Sequence, residues 1–189
     1  APKDIQNKFN LSSGLLTLEA RVKGEIKDIV SALQIHLEDF VLGDYDNNFV
    51  LKNKSALLGI VNYSGLIRGK MTNQNFALDI PVINSKISDE LLVIDIDNKN
   101  IKLNPSIVKF NKQSAVTIDG NIENYLSDFT ARFKADGKLS ANDLGLMIGE
   151  VGMPYLEMKG FLPFKTAVSA NKRKIDLTSQ LFADMTNYI

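Results

Sequence analysis

The side chains able to do chemistry in this sequence are few and scattered. One histidine, His36, stands between Ile35 and Leu37, and none of the 189 residues is a cysteine. That removes thiol nucleophiles, disulfides, Fe–S clusters and cysteine-based zinc sites, and one chain with one histidine builds no three-histidine metal centre. In an alternating stretch His36 takes the polar side, which suits a solvated residue better than a general base. Asp95 and Asp97 stand on one side of a strand-like segment, with Asn98 and Asn100 beside them. A hard cation needs roughly six to eight oxygens, so the pair reads as a solubilising face and turn. Gly145, Gly149 and Gly152 lie outside the strand-turn-helix setting of a phosphate loop, and no P-loop, dinucleotide fingerprint, His-Glu-x-x-His or nucleophile elbow occurs. Lys172-Arg173-Lys174 would attract lipid headgroups or nucleic acid, but between two alternating segments it reads as a solvated hairpin loop. These residues offer no catalytic group, no metal ligand and no cofactor site, and the expectation is a protein that is not an enzyme.

The composition narrows the partners. Lys plus Arg and Asp plus Glu number 22 each, for a net charge of zero, which argues against a domain whose main task is holding nucleic acid. The absence of cysteine suits an oxidising, extracytoplasmic compartment. No apolar run approaches the roughly 20 residues that cross a bilayer as a helix. No secretion signal opens the chain, and Ala1-Pro2-Lys3 reads as an internal cut or a processed end. The length suits a single domain, 1–189, or one section of a longer repetitive structure.

The elements that must position any site are strands. Leu16, Leu18, Ala20 and Val22 alternate with Thr17, Glu19 and Arg21, the pattern of a half-buried strand. Leu33, Ile35 and Leu37 repeat it, although Val30, Leu33 and Leu37 also share a helix stripe. Further apolar rows are Phe76, Leu78 and Ile80; Leu92, Ile94 and Ile96; Ile101 and Leu103; Val116 and Ile118; Phe129, Ala131, Phe133 and Ala135; and Ile175 and Leu177. Polar turns are expected at 44–48, 98–100, 111–113 and 171–174, with breaks at Gly24, Gly65 and Gly69. Asp136-Gly137 is a hairpin signal. Residues 140–158 depart from the alternation: Leu144, Met147 and Ile148 fall at helical spacing behind the N-cap candidates Ser140 and Asn142, and Pro154 ends any helix. A short helix or helical turn is expected at about 142–150. Ten or more short strands joined by short turns favour antiparallel neighbours. A sandwich, a barrel and an elongated curled sheet all fit that periodicity.

Several of these phrases resemble the bacterial AsmA-like superfamily. Leu16 to Ile26 is similar to its alternating strand, glycine, alternating strand phrase, and Val116 to Ile122 is similar to the recurring strand-glycine-strand unit. Phe129 to Ser140, Lys159 to Asn171 and Ile175 to Leu181 continue the cadence, which covers most of residues 12–183. The resemblance implies an all-β fold with a short helical insertion: an elongated, twisted, mostly antiparallel sheet curled into a half-open groove or partial barrel with an apolar interior. It implies the periplasmic domain of an inner-membrane-anchored Gram-negative envelope protein that carries phospholipid between inner and outer membranes and supports outer-membrane biogenesis. The implied partners are phospholipid acyl chains, neighbouring segments of the same longer chain and an outer-membrane protein, with no nucleic acid and no cofactor. Under that resemblance the groove-lining candidates are Leu16, Leu18, Ala20, Val22, Phe76, Leu78, Ile80, Phe129, Ala131 and Phe133, each touching acyl chains and none catalytic. Residues 140–158 would be a cap or a junction between sheet sections. The competing expectation is a structural or adhesive all-β envelope module, in which the same apolar face is a closed core.

Overall fold

The computed structural model describes residues 9–25, 28–44, 49–81, 85–144 and 160–182. The described chain is one ten-stranded sheet. Its strands are β1 (Phe9–Lys23), β2 (Val30–Asp44), β3 (Val50–Tyr63), β4 (Leu66–Ile80), β5 (Ser85–Asp97), β6 (Asn100–Phe110), β7 (Ser114–Glu123), β8 (Thr130–Ser140), β9 (Phe161–Asn171) and β10 (Ile175–Leu181). They pair in sequence order, each antiparallel to the next. A single helical turn, 141–144, follows β8.

Turn chemistry sets this meander. Between β3 and β4, Ser64 (φ 47°) and Gly65 (φ 85°) both take left-handed backbone, which matches the twist of a two-residue hairpin. The Asn62 side-chain oxygen accepts the Gly65 N–H at 3.1 Å. Between β5 and β6, the Asp97 carboxylate accepts the N–H groups of Lys99 and Asn100, each at 2.8 Å. Those bonds hold the Asp97 carboxyl below the usual range. At the β9–β10 turn, the Asn171 side chain accepts the N–H groups of Arg173 and Lys174, each at 2.9 Å.

The expected curled groove is not what the chain forms. The sheet is open, neither closed nor curled: β1 and β10 lie at opposite ends of the strand order and each pairs on one side only. Closing a sheet requires its two edges to meet with a matching stagger. Here the edge strands differ, 15 residues in β1 against 7 in β10, and their apolar side chains stand in the open, with Leu18 61% and Leu177 67% exposed.

Two glycine readings also change. Asp136-Gly137 is not a hairpin turn but lies inside β8, just as Gly120 of the strand-glycine-strand unit lies inside β7. Gly69 is likewise interior to β4. The reason is space. A Cβ on Gly120 would sit 2.2 Å from Phe133 Cδ1, so the Phe133 ring covers the bare backbone of its cross-strand partner. Of the expected helix, the described residues hold the turn 141–144; positions 145–159 lie outside them, as do 45–48 of the expected turn at 44–48.

Candidate functional site

Cross-strand partners in an antiparallel ladder share a face, so the register assigns every strand residue to a side. One row reads Gly69, Ile96, Ile101, Ile122, Ala131, Ala170, Ile175 from β4 to β10. The neighbouring row reads Lys70, Asp95, Lys102, Asn121, Arg132, Ser169, Asp176. In these rows one face is apolar and the other charged; elsewhere the second face is mixed and carries the exposed Leu15, Leu57, Val61, Leu91 and Ile107. Leu16, Leu18, Ala20 and Val22 in β1, Phe76, Leu78 and Ile80 in β4, and Ala131 and Phe133 in β8 all fall on the apolar face. Phe129 precedes β8 by one residue and is half-buried.

A seam crosses this face. The ladders skip Asp39 opposite Lys54, Lys54 opposite Asn75, and Asn75 opposite Glu90. The register also shifts around Ser13 in β1 and between Leu103 and Ser106 in β6. Asp39 (φ 47°) and Asn75 (φ 53°) take the left-handed backbone that short polar side chains tolerate, and Pro105, which has no N–H to donate, sits at the β6 break. Each of these strands therefore changes parity at the seam. In β2 the apolar face carries Leu33, Ile35 and Leu37 on one side of it and Phe40 and Leu42 on the other. Strand β7 has no break, and its Ile118 and Gly120 pair with Ser106 and Leu103, so one apolar face runs through the seam.

Along the seam the face is polar and buried. Asn53, Asn73, Asp89 and Ser106 are all under a tenth exposed, and Asn53 donates to the Asn73 side-chain oxygen at 2.5 Å. Besides the skipped ladder residues, the register puts two ionisable residues at this parity, Asp44 at the end of β2 and, beside the seam, Asp89. Asp89 accepts the Phe76 backbone N–H, and burial pushes its carboxyl above the usual range. A group whose folded pKa is raised contributes stability only while protonated, and that contribution is lost as pH rises from the unfolded value through the folded one. Asp89→Asn keeps an acceptor for Phe76 without the buried charge. Its denaturation midpoint is expected to exceed the parent's at pH 7, and the gap to close as pH falls through about 4, where an ordinary aspartate takes up its own proton. An unchanged gap across that range would contradict the assignment.

Between β6 and β9 the face deepens into a hollow of about 470 Å³, lined by Val108, Val116, Ile118, Leu139 and Phe164 and bordered by Leu144. The helical turn is pinned there by Asp143, which is 3% exposed. Its Oδ2 accepts the Gln113 N–H at 3.0 Å, the Ser114 N–H at 2.8 Å and the Ser114 hydroxyl at 2.7 Å. The spacing of polar residues in 140–144 carried no sign of this reach. Ser140, an expected N-cap, instead donates its N–H to the Ser114 hydroxyl oxygen and its own hydroxyl to Gln113 Oε1.

The chemical candidates do not converge. His36 lies on the second face, contacting Ser55 Oγ at 3.1 Å and Glu38 at 3.3 Å. Asp95 accepts from Asn104 at 2.8 Å, and no group of three or more His, Cys, Asp or Glu able to hold a metal occurs among the described residues. In the basic turn, Lys172 pairs with Asp128 at 2.8 Å and Lys174 with Asp176 at 2.7 Å. Among the described residues only Val116, Ala131 and Ala141 are buried apolar side chains, so the apolar face is a surface rather than a core. Compared with known proteins, the chain matches no family model, no curated protein and no solved structure.

Proposed function

We propose that this chain binds phospholipid acyl chains along its apolar face, as a periplasmic section of an AsmA-like envelope protein that moves phospholipid between the inner and outer membranes and supports outer-membrane biogenesis. One observation carries the reading: a single face, largely apolar across ten strands, lies uncovered among the described residues, its ionisable positions confined to the seam and its border and to Asp44 at the end of β2. Each CH₂ taken from water contributes roughly 0.8 kcal/mol, so a lipid tail is held there without a charged anchor. The lipid lies on an open sheet, not inside a groove. Neighbouring segments of a longer chain and an outer-membrane protein are the partners in this proposal, and it includes no catalytic step. A closed-core adhesive module needs this face covered, which the exposure of Leu16, Leu18 and Val22 disfavours.

The test is native mass spectrometry of gently purified protein, with photo-cross-linking to a diazirine-bearing phospholipid. Bound phospholipid is expected. Leu18→Asp, at an exposed position, should cut cross-linking several-fold and leave the circular dichroism spectrum unchanged. Phe133→Asp should do the same and also loosen the contact over Gly120. Protein that carries no phospholipid, or variants that cross-link like the parent, would overturn the proposal.

A further inference from the structure

We infer that, when no lipid is present, the apolar face docks on the same face of a second copy of this chain. Among the described residues only Val116, Ala131 and Ala141 are buried apolar side chains, so the apolar face of the ten-stranded sheet has no covering layer there. At about 4.8 Å between strands and about 3.3 Å per residue, five strands of about eleven residues present a footprint of about 900 Å². A stable interface needs about 800 Å² from each partner, so half of this sheet suffices.

The chemistry favours a copy of the same chain. Two apolar sheet faces stack about 10 Å apart, and identical faces match in length and width under a two-fold axis. Five half-buried phenylalanines, Phe40, Phe76, Phe110, Phe133 and Phe164, are spread over this face from β2 to β9. Aromatic side chains of this kind anchor interfaces. Charge opposes the approach little: the net charge is zero, Asp89 beside the seam is only 6% exposed, and Asp44 stands at the very end of β2. The charged rows then face water on both outer surfaces. The inference goes beyond the lipid reading, because lipid and the second copy compete for one surface.

A cysteine-free chain allows a clean test. Leu18→Cys and Ile94→Cys place single thiols on the apolar face, and Thr17→Cys and Val93→Cys place them on the other. For delipidated protein, light scattering coupled to size exclusion is expected to give twice the mass of one chain. Maleimide labelling should slow several-fold with rising protein concentration at one or both apolar-face thiols and at neither control. Vesicles of phosphatidylethanolamine should restore the monomer. A monomer at every concentration overturns the inference, as does a dimer with both apolar-face thiols unprotected, which would mark pairing through the sheet edges. A lipid-bearing chain that stays monomeric when stripped sinks the inference alone. A protected dimer that ignores lipid sinks the lipid reading alone.

Discussion

Gly137→Ala is expected to destabilise the protein by about 3 kcal/mol, the upper part of the range for overpacking a filled site. A Cβ at this position would sit 2.4 Å from the Ala115 carbonyl oxygen and 2.7 Å from Val116 Cα. Both are backbone atoms, so no rotamer change relieves the contact and the β7–β8 ladder itself must move. Gly120→Ala meets the Arg132 carbonyl oxygen at 2.6 Å as well as the Phe133 ring, and a loss of similar size is expected. Gly59 supplies the control. Nothing lies within 4 Å of a Cβ there, so Gly59→Ala removes only the entropy cost of glycine and should gain about 0.5 kcal/mol. Urea unfolding of the three variants checks the ordering, and equal effects at all three glycines would contradict the packing argument.

Asp143→Ala is expected to cost about 3 kcal/mol, because hydrogen bonds to a charged group contribute roughly 1.5–3 kcal/mol and a buried donor left bare adds its own penalty. The carboxylate accepts three hydrogen bonds from Gln113 and Ser114 at 2.7–3.0 Å, and both Ser114 donors are buried. Asp143→Asn retains one acceptor oxygen and should lose about half as much. Amide exchange at Gln113 and Ser114 reports the same event locally: their protection should collapse in Asp143→Ala while that of the β3–β4 hairpin stays unchanged. Unaltered exchange at 113–114 would show that the helical turn is held by its apolar contacts.

Much of the fold is readable along the chain because alternation is a two-residue property. The strand at 16–22, the rows at 76–80 and 131–135, and the turns at 98–100, 111–113 and 171–174 all lie where side-chain parity and turn residues put them. The seam is less visible, since each strand of β2 to β6 reads as two short alternating pieces of opposite phase. Glu38-Asp39, Gln74-Asn75 and Asn104-Pro105 mark the joins, and only pairing shows that they align across strands. The glycines mislead for a related reason. Asp-Gly favours a tight turn, but at 119–120 and 136–137 the absence of a side chain serves a neighbour's ring or backbone instead. Asp143 was illegible for a third reason: its partners lie about thirty residues back.

Residue order alone, through alternation and turn chemistry, specifies an all-β meander with one largely apolar and one mixed face. Those properties arise between residues one or two apart, or across a single hairpin. Whether the apolar face closes on itself is a different kind of question. It depends on whether β1 and β10 meet, on the seam that keeps apolar parity continuous through six strands, and on what covers Leu18 and Leu177. No local pattern encodes an encounter between chain ends some 150 residues apart. In three dimensions the edges stay apart, and the apolar rows that a groove would have enclosed become an open surface.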